Sequence, residues 1–211
     1  MSNIVVHRRS LLLTSAAFSL APIVARAASD LGKAAPPFAA TDSNGKSWSL
    51  AALRGKVVVL ETTNHECPYV GKHYRSGNMQ AQQREAAAEG VVWLTVASSA
   101  PGKQGYVTAA QANEIVATRH AAPAAVLLDP QSRIARAYAA TVTPHMYVID
   151  ASGMLVYKGG IDSIPSSSQS DVPKAKQYVR VALDEVLAGK PVSEASTRPY
   201  GCSLKYGNNA A

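Results

Sequence analysis

The run Val57-Val58-Val59-Leu60-Glu61-Thr62, followed at once by Asn64-His65-Glu66-Cys67-Pro68-Tyr69-Val70, decides how this chain is read. Its β-branched and apolar residues predict a buried strand over Val57 to Thr62. A Cys-Pro step just past a strand puts sulfur at the first turn of a helix, because proline suits the first helical position, where no N–H is needed. Unpaired amides and the positive end of the helix dipole gather there. Both favour thiolate, the reactive form of cysteine. The junction therefore points to redox chemistry at Cys67. Glu66 opposes a low thiol pKa by like-charge repulsion, and Lys72 is a candidate to offset it.

Working outward, strands and helices alternate. The spacing predicts one helix from Cys67 to Glu89, stopped by Gly90, and a second buried strand over Val91 to Val96. Thr108 caps a helix running to about Arg119. A strand over Ala125 to Leu128 and a helix over Pro130 to Ala139 follow. Met146 to Asp150 and Met154 to Lys158 flank Ala151-Ser152-Gly153, a hairpin signal. Val172 to Ala188 predicts a closing helix ended by Gly189. Trp48 and Trp93 read as core. Asp150 and Asp162 read as turn residues. Such alternation implies an α/β fold, a mixed central sheet with helices on both faces.

The first thirty residues carry a different message. His7-Arg8-Arg9-Ser10 precedes an apolar stretch from Leu11 to Val24, and Ala25-Arg26-Ala27 is a small-x-small cleavage pattern. This is the layout of a secretory signal peptide over residues 1–27. Adjacent Arg8 and Arg9 resemble a twin-arginine export signal, with Sec export as the alternative. The apolar stretch is shorter than the roughly 20 residues a membrane span needs, so no stable membrane insertion is expected after cleavage. Cleavage after Ala27 removes three arginines and no acid, and the formal net charge falls from +7 to +4. The remaining basic residues are scattered, which argues against nucleic acid as a partner. Residues 28–211 have the length of one domain, with an extended tail over about 189–211 that carries the second cysteine, Cys202. The expected location is periplasmic or secreted, where disulfides persist. Nothing resembles a phosphate-binding or dinucleotide loop, and no cofactor is expected.

Thr143-Pro144 stands immediately before the hairpin. A proline at a strand entrance removes a ladder donor; a cis X-Pro bond in a tight turn is one solution, an ordinary trans proline the other. A strand, Cys-Pro at a helix start, alternating units and Thr-Pro before a hairpin together resemble the thioredoxin fold. The chain is most similar to the redoxin (AhpC/TSA-type) proteins, and within them to a peroxiredoxin-like subgroup. The residues carrying that resemblance are Asn64 to Val70, Lys72-His73, Thr143-Pro144, Gly153 to Asp162, Ala188 to Val192 and Gly201-Cys202-Ser203-Leu204-Lys205. It implies a thioredoxin-like fold with a cis proline packed beside the redox cysteine. Some motifs depart from the pattern. Val70 occupies the place of the second cysteine of Cys-x-x-Cys. Leu60 and Asn64 stand where peroxiredoxins carry proline and threonine, with Thr63 one residue too early. One extra residue separates Asn64 from Cys67.

The site expected from this reading has Cys67 as nucleophile and Cys202 as resolving thiol, joined in a reversible disulfide. Asn64, Pro68, Tyr69, Thr143, Pro144 and His145 form the surroundings of substrate and thiolate. His145 is the best candidate for an imidazolium that lowers the thiol pKa, while His73 is expected to face outward or pack on Tyr74. The backbone at Thr143 is expected to pair with an extended peptide. The partners implied are a protein or small-molecule disulfide, or a peroxide, and an external thiol donor. Two alternatives stand beside this exchange reaction. One is a thiol peroxidase. The other is a non-enzymatic copper-binding or other binding module, in which the Cys67–Cys202 disulfide is a permanent staple worth about 5 kcal/mol of chain entropy. A Cys-x-x-x-Cys pair for copper is absent, so no metal site is assigned.

Overall fold

The computed structural model describes residues 31–207. The expected signal peptide lies outside the described residues. Five strands make the central sheet: β3 (Val58–Thr63), β4 (Val92–Ala97), β5 (Ala125–Leu128), β7 (His145–Ile149) and β8 (Leu155–Gly159), in the order β5-β4-β3-β7-β8. β3 and β4 are parallel, as are β4 and β5, while β7 is antiparallel to β3 and to β8. The sheet is mixed, and helices cover both faces, as the alternation predicts.

Strand alternation sorts the chemistry between the faces. Val58 and Leu60 of β3, Leu94 and Val96 of β4, and Tyr147 and Ile149 of β7 enter one core. It is closed by α4 (Arg133–Ala137) and by the leading hairpin of β1 (Ala39–Thr41) and β2 (Ser47–Ser49). Val59, Trp93, Met146 and Val148 face the other side. There they pack against α1 (Pro68–Arg75), α2 (Asn78–Ala88) and α5 (Tyr178–Leu187), and Cys67 belongs to this second core. Next to it, α3 (Ala109–Thr118) packs Ala112 onto Ala97 and Val126. Thr108 and Gln111 cap α3 reciprocally, each side chain holding the other residue's backbone amide. Trp93 is core, and Trp48 packs against the first core while donating to Asp42.

Two helices differ from expectation. The single helix predicted over Cys67 to Glu89 is two, broken at Ser76-Gly77. Gly77 has φ 76°, a left-handed conformation that favours glycine and ends a helix. The closing helix begins at Tyr178, not Val172. Residues Gln169–Lys174 form a 3-10 turn around Pro173, and Gln177 is drawn into an antiparallel bridge with Asp162. Extended pairing there displaces helix.

Both sheet edges are covered. Ser43 donates to Val126 beside β5. On the other edge the chain after α5 runs along β8, with Lys158 donating to Ala195 and Thr197 donating to Lys158. Unpaired edges invite pairing with other chains, so this tail closes the sheet before it reaches the cysteines. It then forms β9 (Cys202–Ser203) against β6 (Val142–Thr143). No helix among the described residues is long and apolar enough to cross a membrane.

Candidate functional site

Cys67 caps α1, with Pro68 at its first position. Extended backbone at Cys67 (φ −74°, ψ 123°) turns the chain from strand into helix. Asn64 organises that turn: its side chain accepts from the Glu66 amide at 2.9 Å, and its carbonyl accepts from the Cys67 amide at 3.0 Å. The Glu66 carboxylate accepts from the Gly105 amide, 2.6 Å from Oε2. The Cys67 side chain is 1% exposed, and its Sγ donates to the Thr143 carbonyl at 3.1 Å. The Thr143-Pro144 peptide is cis.

Thr143 has a second neighbour. It stands opposite Cys202 in the β6–β9 register. The residue before Cys202 makes this possible: a Cβ on Gly201 would sit 2.0 Å from the Thr143 carbonyl oxygen. The position expected to receive a peptide is therefore occupied by the chain's own tail. Cys202 is partly exposed, and both cysteines are free thiols.

The electrostatics separate the two sulfurs. Burial pushes the Cys67 thiol up, but stabilisation of its thiolate by the Cys202 thiol and by the Val70 and Cys202 amides outweighs this and leaves it below its ordinary value. No capping hydrogen bond to the sulfur is formed, so the Val70 amide acts as a dipole at longer range. Burial, then the hydrogen bond to Cys67 and its charge, push Cys202 up to about 11. Of the two thiols, Cys67 is the first to lose its proton.

His145 does not take part. It lies on β7 opposite Thr62, on the face away from Cys67, and stacks on Tyr147 with ring centroids 4.6 Å apart. Burial pulls its pKa down to about 3, so it is a neutral core residue and supplies no imidazolium to the thiol. Strand alternation is the reason: Met146, not His145, shares the core of Cys67. A ligand set that joins His145 to the cysteines is therefore not formed, and among the described residues no cluster of three or more His, Cys, Asp or Glu is placed to hold a metal.

Thr63 also points elsewhere. With His65, Tyr74, Thr95 and Arg119 it lines a mainly apolar cavity of about 40 Å³ under α3, and Cys67 is not in its wall.

Two buried clusters were not legible as such. The first joins the helix of Cys67 to the tail of Cys202. Lys72 and Asp162, both fully buried, form an ion pair at 2.7 Å. Lys72 also donates to the Ile164 carbonyl at 2.8 Å and to the Tyr200 hydroxyl at 3.2 Å. Tyr200 donates to Asp162 and meets His73 Nε2 at 3.2 Å. His73, expected outside, is buried here; desolvation lowers its pKa to about 4 despite the nearby Asp162. Lys72 is thus spent on Asp162, and Asp162 is an ion-pair partner, not only a turn residue. Tyr69 packs edge-on against the Tyr200 ring, 5.8 Å between centroids.

The second cluster surrounds Glu61, six residues before Cys67 and fully buried. Its carboxyl accepts from Tyr74 (2.8 Å), Trp93 (2.9 Å), Gln83 (3.3 Å) and Thr95 (3.3 Å). Burial raises its pKa in spite of these four donors. The signal was one carboxylate in a strand of apolar and β-branched residues.

With this geometry in view, the comparisons are specific. The AhpC/TSA family profile matches residues 31–158. The chain belongs to the AhpC/TSA family. Its fold is similar to a hypothetical protein of Sinorhizobium meliloti 1021, at 23% identity and TM-score 0.71 over 85% of this chain and 96% of the other. It is likewise similar to an uncharacterized conserved protein of Geobacillus kaustophilus, at 26% identity and TM-score 0.72 over 85% and 94%. An exposed lipoprotein thioredoxin of Streptococcus pneumoniae aligns at 23% identity and TM-score 0.48 over 62% and 92%. No curated protein matches the chain significantly. The chain is a thioredoxin-fold redoxin.

Proposed function

We propose that this chain is an exported thiol–disulfide oxidoreductase whose reversible couple is Cys67–Cys202. One observation carries the reading: Cys202 is paired opposite Thr143, the residue whose carbonyl holds the Cys67 thiol. Two sulfurs presented to each other across one residue, one with its pKa lowered and one with it raised, form an exchange pair. Family membership supports oxidoreductase chemistry in general terms.

The step is as follows. One cysteine of the pair opens a partner's disulfide, forming a mixed disulfide and releasing one thiolate; the other cysteine attacks the protein sulfur of that mixed disulfide, the Cys67–Cys202 bond forms, and the second half of the partner leaves as thiolate. Run in reverse, a partner's thiolate opens the bond. Two electrons pass between the cysteine pair and an external thiol pair, and no cofactor is needed.

A second reading, thiol peroxidase, has the family in its favour. Thr63, the threonine nearest the family's position, lines the cavity under α3 away from Cys67, and the hydroxyl beside the sulfur is that of Thr143. The test compares two oxidants with dithiothreitol as reductant. Hydroxyethyl disulfide is expected to turn over with the wild type and not with Cys67→Ser, while hydrogen peroxide turns over at the background rate. Rapid peroxide turnover with no disulfide exchange would replace this reading by the peroxidase.

A further inference from the structure

We infer that the sulfur exchanged with external thiols is that of Cys202, and that Cys67 serves as the buried leaving group. This deepens the proposed function and rests on the Cys67–Cys202 couple.

A thiolate approaches a disulfide along the S–S axis, from the side opposite the sulfur that leaves, and access decides which sulfur is struck. For Cys67 that side is the second core, where Cys67 is packed with Val70 and Met146 and is 1% exposed. An external thiol would have to enter through the body of the protein. Cys202 packs against the edge of the same core but is partly exposed, on a strand paired with β6 alone.

Beside it is an open cleft of about 520 Å³, the size of a small-molecule site. Val142 and Gly201, which precede the paired Thr143 and Cys202, line it together with Asp162, Tyr178 and Arg198, and Cys202 adjoins this wall through Gly201. Arg198 is exposed. A cleft of this size with a guanidinium in its wall fits a low-molecular-weight thiol bearing carboxylates, and not a folded protein surface.

The tail is not free to swing away. Tyr200 is held by Asp162 and Lys72 before Cys202, and beyond it Leu204 is buried and Arg136 donates to the Gly207 carbonyl at 2.7 Å. Exchange therefore occurs with the tail in place. The external thiolate attacks the Cys202 sulfur, the Cys67–Cys202 bond breaks, and Cys67 leaves as thiolate. A second external thiol, as thiolate, attacks the outer sulfur of the mixed disulfide. The external disulfide departs, and Cys202 takes up a proton. One disulfide and two thiols become two protein thiols and one external disulfide. The Val70 and Cys202 amides, which stay in place during the exchange, stabilise the departing Cys67 thiolate.

The probe is glutathione. The oxidised protein is mixed with it, quenched in acid at early times, alkylated and mapped by mass spectrometry. Glutathione on the Cys202 peptide, with Cys67 alkylated, is expected; glutathione on the Cys67 peptide overturns the inference. A second measurement avoids reclosure. Single-cysteine variants Cys67→Ser and Cys202→Ser are converted to their 2-nitro-5-thiobenzoate mixed disulfides with 5,5′-dithiobis(2-nitrobenzoate), which releases one 2-nitro-5-thiobenzoate per thiol, and are then discharged with glutathione. The adduct on Cys202 is expected to discharge faster by about tenfold or more, and equal or reversed rates overturn the inference. Failure of the couple itself looks different: the oxidised protein would then yield both cysteines alkylated with no internal disulfide.

Discussion

Gly201→Ala isolates the contact that brings the two cysteines together. Gly201 has φ 148° and packs against the Thr143 carbonyl, so a Cβ there would lie 2.0 Å from the oxygen and 2.7 Å from the carbon. Ordinary contact begins at 3.4 Å. The tail must retreat by about 1.4 Å to reach it, and the backbone conformation itself costs an L-residue about 1–3 kcal/mol. A displacement of about 1 Å lowers the effective concentration of a positioned group by about 100-fold. The Cys67–Cys202 disulfide should therefore become about 100-fold less stable, and its reduction potential should rise by about 60 mV for the two-electron couple. The assay is equilibration in glutathione redox buffers with alkylation of the remaining thiols, alongside a thermal melt. A wild-type potential in the variant would refute the reasoning, since the β6–β9 contact would then not set the approach of the sulfurs.

Three further outcomes follow from the same structure. Cys202→Ala removes the thiol that stabilises the Cys67 thiolate, so the Cys67 pKa should rise, as read from ultraviolet thiolate absorbance; a fall would contradict that hydrogen bond. Lys72→Met leaves Asp162 charged and unpaired in the interior and should cost about 3–5 kcal/mol in denaturant unfolding, whereas a loss below about 1 kcal/mol would show that water already reaches the pair. Acidification should destabilise the protein between about pH 6.5 and pH 4. His73 and His145 stay neutral in the folded state down to about 4 and 3, while in the unfolded chain they protonate near 6.5. The unfolded state then binds more protons, so each histidine removes up to about 1.4 kcal/mol per pH unit on the way down. Replacing His73 with a neutral isostere should flatten that slope.

The strand-to-helix junction at Cys67 was legible because its signals are local: a β-branched run, then proline at a first helical position. The mixed sheet followed from alternation in the same way. Residues whose placement depends on distant partners were not legible. His145 looked suited to the thiol because it follows Pro144, yet the pleat of β7 turns it to the opposite core beside Tyr147. His73 read as facing outward or packing on Tyr74, and Lys72 as a counter-charge to Glu66, because Asp162 and Tyr200, which bury both, lie some ninety and more residues away. Asp162 read as a turn residue for the same reason. The break at Gly77 did have a local sign, a glycine able to end a helix, masked by the helical Ala, Gln and Glu on its far side. The tail read as extended and folded back over Cys67, with Gly201 allowing the close approach, but its seat on Thr143 depended on the β6 strand, which has no local sign.

The central claim, a reversible Cys67–Cys202 couple, is tested most directly by counting thiols on the mature protein before oxidation, after an oxidant, and after a mild dithiol. The account predicts that both thiols disappear together and that the dithiol restores both. Thiols that survive oxidation, or a bond that forms unaided and resists the dithiol, would contradict it.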